Sequence, residues 1–250
     1  MFPITHYYCA KKILGKSSSL LILGGLWPDL ARGTGVGRNQ AHESGKEFWR
    51  WCQKQAPEAL DLARGIICHG SDPPGLDFYA DEAWPGGEKG WCFQEGEAWL
   101  DQVASATALP ERYLGWKAHN FVEMAFELIL IKQEPELGRG ILAAVTDQKT
   151  VRHASLLLGD FWDLEPLQAA DCYNQVNRIF AIDPVNPYNL ALKQDMAMRL
   201  RDQSQEADIE AMALLLEQIA EDNPKKYLAF LQQALEKTWK MMVEIEEGGS

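Results

Sequence analysis

The stretch KAHNFVEMAFELILI, residues 117–131, is apolar enough to form a buried helix, yet it contains His119 and Glu123. Their four-residue spacing places the imidazole and the carboxylate on one face of a helix, and Phe126 continues that face. Burying such a pair costs free energy unless the two groups satisfy each other or bind something between them. The stretch therefore predicts a buried helix and leaves two uses for the pair, an internal polar contact or a ligand site.

Helical periodicity dominates the rest of the chain, and no run of alternating residues is long enough to indicate a sheet. Residues 71–95 are rich in glycine, proline and aromatic residues and are predicted to form one long loop. Good helix formers and wide apolar stripes predict helices elsewhere. These cover residues 4–16, a segment starting near His42, and residues 57–70, 110–132, 134–146, 165–181, 187–201, 205–221 and 224–246.

These segments predict an all-α protein, a multi-helix bundle forming a single domain over residues 1–250. Residues 1–132 would carry the candidate site, and residues 133–250 would form a helical half that packs on it. A separate C-terminal helical domain is the alternative.

Composition narrows the function classes. The 250 residues include 36 acidic and 24 basic side chains, for a formal net charge of −12. Such a surface repels phosphate backbones and anionic lipids, which argues against nucleic-acid and membrane binding. The five cysteines form no CxxC pair, and the N-terminal sequence lacks the features of a secretory signal. The longest apolar run is far below the ~20 residues of a membrane span. We therefore expect a cytoplasmic protein without a transmembrane segment; its oligomeric state has no signal in the sequence.

Two further histidines are predicted to face the interior. In the helix over residues 57–70, Leu62 and Ile66 share a face with His69, so this imidazole points inward at the end of the helix. Gly65, one turn earlier, would let another backbone approach closely. On the first helix, His6 lies on the apolar face. Three histidines from three separate segments are thus predicted to face one interior.

Carboxylates accompany two of the three histidines along the chain, and for His119 this is Glu123. Asp72 follows His69 by three residues, and Asp29 follows a Trp27–Pro28 turn after an apolar run. A single histidine on an apolar face is usually a core residue bonded to the backbone. Several buried histidines with carboxylates are costly unless they are paired or coordinate a cation. Imidazole and carboxylate ligands suit Zn²⁺, and also Fe or Mn.

Other familiar motifs are absent from the sequence. The glycines of GTGVGR, residues 33–38, follow no strand and precede no Walker lysine, so a flexible loop is the better interpretation. The sequence contains no ExxH, no HExxH, no His-Asp dipeptide and no Gly-x-Ser-x-Gly. These absences argue against di-iron bundles, the common metalloproteases, HD-type phosphohydrolases and serine hydrolases.

The order of the remaining motifs resembles a known family. THYYCAKKIL, LGGLWPDL, the isolated His42, GIICHGSD and HNFVE occur in this order over residues 1–125. The series resembles the zinc-dependent phospholipase C family, which is related to the S1/P1 nucleases and consists of all-α proteins of about this length. The resemblance implies a set of metal ligands: His6, Asp29, His42, His69, Asp72, His119 and Glu123. It also implies that Asp29 is a candidate general base.

The sequence departs from the family pattern after His69. The family spaces its helix-end pair as HxxxD and adds a further histidine, whereas here the spacing is HxxD and no histidine lies between His69 and His119. Asp77 is a carboxylate that could take the missing ligand's place. We therefore expect one or two Zn²⁺ ions, with Fe or Mn as alternatives.

The function predicted from this resemblance is a metal-dependent phosphoesterase. A metal-activated water would hydrolyse a small phosphodiester or phosphomonoester substrate, including a phospholipid head group. The alternative, from another class, is a non-catalytic helical protein in which a metal stabilises the bundle or a partner is bound. The aromatic segment over residues 84–99 is predicted to be a partly buried plug, with a lid or substrate wall as its functional alternative.

Overall fold

A computed structural model describes residues 2–82, 89–204 and 206–248. All regular secondary structure in these residues is helical, which confirms the all-α class. The first half contains α1 (Pro3–Leu14), α2 (Ser19–Leu30), α3 (Arg38–Glu43), α4 (Gly45–Gln55), α5 (Leu60–His69), α6 (Leu76–Ala80), α7 (Trp91–Gly96), α8 (Leu100–Thr107) and α9 (Glu111–Gln133). The second half contains α10 (Glu136–Thr146), α11 (Gln148–Trp162), α12 (Pro166–Asn174), α13 (Val176–Ile179), α14 (Pro187–Leu200), α15 (Ile209–Asp222) and α16 (Pro224–Glu247).

The prediction of one long loop over residues 71–95 was wrong for the residues that the structure describes. It contains α6 and the start of α7, because short apolar runs there pack against the core. The helix predicted to start near His42 is two helices, with His42 in the short α3 and α4 beginning at Gly45. Helices α2, α8 and α11 were not predicted as helices. Residues 83–88 lie outside the described residues, and with them part of the predicted aromatic plug.

Helix α9 lies at the centre of the fold. Its residues from Lys117 to Leu130 are buried, apart from the half-buried Asn120. It packs against α1, α7, α8 and α15, so both halves of the chain contact it. The predicted buried helix over residues 110–132 is confirmed as Glu111–Gln133. Burial on nearly all sides explains why the hydrophobic pattern of α9 is continuous rather than a stripe.

A buried carboxylate on α9 holds the N-terminus of α1. Phe2 provides no side-chain cap, and Glu127 instead accepts hydrogen bonds from the backbone of Ile4, at 3.0 Å, and of Thr5, at 2.7 Å. The Thr5 hydroxyl donates a third, at 2.6 Å. Since the first amides of a helix have no partner within the helix, Glu127 satisfies groups that would otherwise be costly to bury. The same contacts fix the position of His6, one residue further along.

Helices α2 and α5 approach each other more closely than side chains would allow. A Cβ atom at Gly65 would lie 2.6 Å from the backbone nitrogen of Gly25 and 2.8 Å from the carbonyl carbon of Gly24. The predicted close backbone approach at Gly65 is therefore confirmed. It brings the end of α5, with His69, next to the last turns of α2, with Asp29.

We expect Gly65→Ala to destabilise the protein by about 3 kcal/mol, because two backbones would have to separate. Gly115 is the matched control: it is an exposed glycine within α9 with nothing near its Cβ position. Gly115→Ala should raise stability by up to about 1 kcal/mol through helix propensity. Denaturant unfolding measures both variants. Equal effects of the two substitutions would contradict the packing argument.

The helices of the second half pack on those of the first. Helix α10 contacts α1 and α2, α16 contacts α1 and α5, and α14 packs on α15, which lies against α8 and α9. Within the described part of the chain, no helix has the length and apolar character needed to cross a membrane.

Candidate metal centre

Four side chains from four helices form a first group, the Asp77 group: Asp29, His42, His69 and Asp77. One potential ligand atom from each lies within 4.8 Å of the others. The Nε2 atoms of His42 and His69 each lie 3.3 Å from Oδ2 of Asp77, and 3.9 Å from Oδ1 of Asp29. The two imidazoles and Asp77 are buried, whereas the Asp29 side chain is 31% exposed.

The outer nitrogen of each imidazole in this group is held by a backbone carbonyl. His42 Nδ1 lies 2.8 Å from the carbonyl oxygen of Arg38, and His69 Nδ1 lies 2.6 Å from that of Gly25. A carbonyl oxygen only accepts, so Nδ1 carries the proton and a neutral imidazole presents its lone pair at Nε2. Neither Nε2 atom has a hydrogen-bond partner among the described residues. In the neutral form, each imidazole would direct a lone pair at a carboxylate oxygen, an arrangement that a cation would stabilise. Burial lowers the pKa of His42, but Asp77 and Asp29 outweigh this and raise it, so a proton is the alternative to a cation at this ring.

His6 adjoins this group without belonging to it. Its ring stacks on that of His69, with centroids 3.5 Å apart and an interplanar angle of 6°. Its Nε2 lies 3.4 Å from Oδ1 of Asp77, so the two oxygens of this carboxylate face different histidines. Burial lowers the pKa of His6 well below its usual value, and His69 beside it lowers this pKa further. A neutral imidazole here is another potential ligand.

A second group, the His119 group, contains Asp81, His119 and Glu123. His119 Nε2 lies 2.9 Å from Oδ1 of Asp81 and 3.3 Å from Oε1 of Glu123. Phe93 stacks on the imidazole at 4.1 Å, which confines the ring. Asp77 and Asp81 are one helical turn apart at α6, so this short helix supplies one carboxylate to each group.

The His119 group can satisfy itself without a metal. Burial lowers the pKa of His119, but the Glu123 and Asp81 carboxylates outweigh this and raise it to about 9. Burial also raises the pKa of Glu123 to about 7. In the absence of a cation, an imidazolium that donates from Nε2 to Asp81 and from Nδ1 to the side-chain oxygen of Asn120, with Glu123 3.3 Å away, is therefore a stable arrangement. The Asp77 group has two Nε2 atoms without a hydrogen-bond partner among the described residues, so it is the stronger candidate for a metal site.

Both groups open onto one cavity of about 750 Å³. Four of its lining residues are acidic and come from the two groups: Asp29, Asp77, Asp81 and Glu123. Four are basic: Arg32, Arg38, Lys193 and Arg201. Arg38 lies 3.5 Å from Asp81. Apolar side chains, among them Phe2, Trp116 and Phe180, complete the wall.

Six of the seven predicted ligands lie in this region, including His6 beside the first group. The exception is Asp72, whose side chain is exposed and belongs to neither group. It precedes the turn into α6, whereas Asp77 lies within α6 and points at the histidines. Asp77 therefore occupies the position expected for a carboxylate after His69. Asp81 was not predicted, although its four-residue spacing from Asp77 would have indicated a shared helical face.

The aromatic segment contributes packing in its described part. Trp91 stacks on Phe230 with centroids 4.5 Å apart and also contacts Phe126 and Tyr227, while Phe93 covers His119. The plug and its alternative, a lid or substrate wall, both stay predictions.

Comparison with known proteins gives no further guidance. No protein-family model matches this chain, and neither curated proteins nor solved structures match it. The fold and the site define an all-helical protein. Two carboxylate–imidazole groups that could hold metal ions lie on the wall of one cavity. The resemblance to zinc-dependent phospholipases C stays a hypothesis.

Proposed function

We propose that the protein is a metal-dependent phosphoesterase that hydrolyses a small phosphodiester or phosphomonoester. The observation that carries this proposal is the pair of Nε2 atoms, on His42 and His69, that lie 3.3 Å from the Asp77 carboxylate and have no hydrogen-bond partner among the described residues. Their donor set of two imidazoles and two carboxylates suits Zn²⁺, with Fe or Mn as alternatives. His6, through Oδ1 of Asp77, and the His119 group would complete a centre for one or two ions.

The position of the centre supports a catalytic role over a structural one. Structural metal sites are closed by protein ligands, whereas catalytic sites keep a position for water or substrate. Members of both groups line the cavity, and Asp29 is partly exposed. This favours the enzyme over the alternative, a non-catalytic bundle stabilised by metal.

The charge of the cavity supports an anionic substrate. Two divalent cations would balance the four carboxylates of the two groups. Arg38 would keep Glu82, 3.6 Å away, and the other three basic side chains that line the cavity would then be unbalanced, in a protein whose formal net charge is −12. Because a positive concave surface attracts anions, this concentrates negatively charged substrates at the centre.

Each residue then has a defined task. Asp77, His42 and His69 would hold one cation, and Asp81, His119 and Glu123 a second. Bound metal would lower the pKa of a coordinated water from 15.7 toward ~7. Asp29, the exposed carboxylate of its group, would orient that water and accept its proton. Arg38 would bind a phosphoryl oxygen.

The test is metal-dependent turnover. Purified protein is analysed for bound metals and then assayed with Zn²⁺, Mn²⁺ or Fe²⁺ on bis(4-nitrophenyl) phosphate and 4-nitrophenyl phosphate. We expect turnover that requires metal and is lost in Glu123→Ala, because the His119 group would lose a ligand. Glu217→Ala, on the exposed face of α15, is the control and should be fully active. Metal retained at the centre with no hydrolysis of either ester would favour the structural alternative.

A further inference from the structure

One face of α14 lines the cavity with residues that the two metal-binding groups do not include. Lys193, Gln194, Ala197 and Arg201 follow one another at spacings that share a helical face, and all four line the cavity. Helix α14 belongs to the second half of the chain, outside the part that carries the family resemblance. This wall is therefore a separate feature of the site.

Gln194 carries a buried donor that is directed at no protein acceptor. The residue is 5% exposed, and its Nε2 has no hydrogen-bond partner in the parts of the chain that the structure describes. Leaving a buried amide donor unsatisfied costs about 1–3 kcal/mol. Since Gln194 lines the cavity, a ligand with an acceptor oxygen there would remove that cost.

Arg201 adds a cation to the same face. Its side chain is exposed at the C-terminal end of α14, lines the cavity and makes no ion pair with any described residue. A guanidinium fork binds carboxylate or phosphate oxygens in pairs. Lys193, by contrast, is already bonded to the carbonyl oxygens of Asn177 and Arg178, at 3.1 and 2.9 Å, so it contributes a fixed charge.

We propose that Gln194 and Arg201 form a subsite for a second anionic group, so that the preferred substrates are phosphate esters whose leaving group is itself negatively charged. This inference rests on the proposed phosphoesterase function. The metal-binding groups and Arg38 would take the phosphoryl group that is cleaved. Gln194 and Arg201 would take the second anion, and the apolar wall at Ile179 and Phe180 would contact the spacer between the two.

The experiment compares two substrates that differ only in the second anion, propyl phosphate and propane-1,3-diyl bisphosphate. Phosphate release is measured with the metal-loaded protein. We expect kcat/KM to be about 10- to 100-fold higher for the bisphosphate, as hydrogen bonds to a charged group imply. In Arg201→Met this preference should fall to a few-fold or less. The control, Arg152→Met on the exposed face of α11, should keep the full preference.

Gln194→Met provides a second, independent measurement. We expect it to reduce the preference about 10-fold without lowering the melting temperature of the ligand-free protein, because the donor that it removes is unsatisfied there. A purely structural glutamine would do the opposite, lowering the melting temperature while leaving the preference unchanged.

The outcomes separate this inference from the proposed function. Hydrolysis of both compounds with equal efficiency would overturn the subsite and leave the phosphoesterase intact. Absence of turnover on either compound with every metal would count against the phosphoesterase. The subsite is then decided by calorimetric titration of the metal-loaded protein with the same two compounds. Equal dissociation constants overturn it, and tighter binding of the bisphosphate that is lost in Arg201→Met supports it.

Discussion

Asp77→Asn should abolish metal binding by the Asp77 group and reduce hydrolysis by at least about 10³-fold, a loss of roughly 4 kcal/mol of transition-state stabilisation. The carboxylate is the common neighbour of three imidazoles, with Oδ1 3.4 Å from His6 and Oδ2 3.3 Å from both His42 and His69. Asparagine has almost the same shape but one fewer charge. Its amide nitrogen can donate a hydrogen bond to an imidazole Nε2. The aspartate carboxylate only accepts, so the same Nε2 atoms need a bound cation or a proton.

We expect an unusual combination of effects in Asp77→Asn. Metal content and turnover should fall together, while the metal-free variant should be at least as stable as the metal-free wild type. Elemental analysis, a phosphate-release assay and thermal unfolding in chelator measure the three quantities. Asp160→Asn, an exposed aspartate on α11, is the matched control and should change none of them. An Asp77→Asn protein that retains stoichiometric metal and turnover would show that the centre lies elsewhere.

The sequence could predict a residue of this centre from its pattern only where that residue lies in a helix long enough to show an apolar face. His119 and Glu123 were found from spacing alone, because both lie in the 23 residues of α9. His69 was found because the apolar stripe of α5 gave it a direction. His42 lies in a six-residue helix with no such stripe, and only the family resemblance identified it.

Residues Asp77 and Asp81 mark the limit of pattern analysis. Asp77 lies within α6 and Asp81 directly follows it, and this helix has five residues, too few to show a helical period. The composition around α6, rich in glycine and proline, predicted a loop, and the family resemblance implied Asp72, the carboxylate three residues after His69, as the ligand. Tertiary contacts decided otherwise: α6 packs on α5, α7 and α16, and these contacts turn Asp77 toward the histidines. Such packing leaves no local signal in the sequence.

Removing the metal should lower the melting temperature of the wild-type protein by roughly 10 °C. A ligand that binds only the native state stabilises it by RT ln(1 + [L]/Kd), about 4 kcal/mol when the free metal concentration is 1,000 times Kd. For a chain of this length, 1 kcal/mol corresponds to roughly 2–4 °C. The centre ties α2, α3, α5 and α6 together through the Asp77 group, so the loss would fall on the part of the fold that holds the site.

The measurement is thermal unfolding of the protein after exhaustive chelation, and again after metal is restored. Asp77→Asn separates the centre from adventitious surface binding, because that variant should melt at the same temperature with and without chelator. Restoring Zn²⁺ to the wild type should restore both the melting temperature and turnover, since one set of ligands serves both. If chelation left the wild-type melting curve unchanged, the imidazoles facing Asp77 would have to be satisfied by protonation alone. The case for a metal at this centre would then fail, and with it the proposed mechanism.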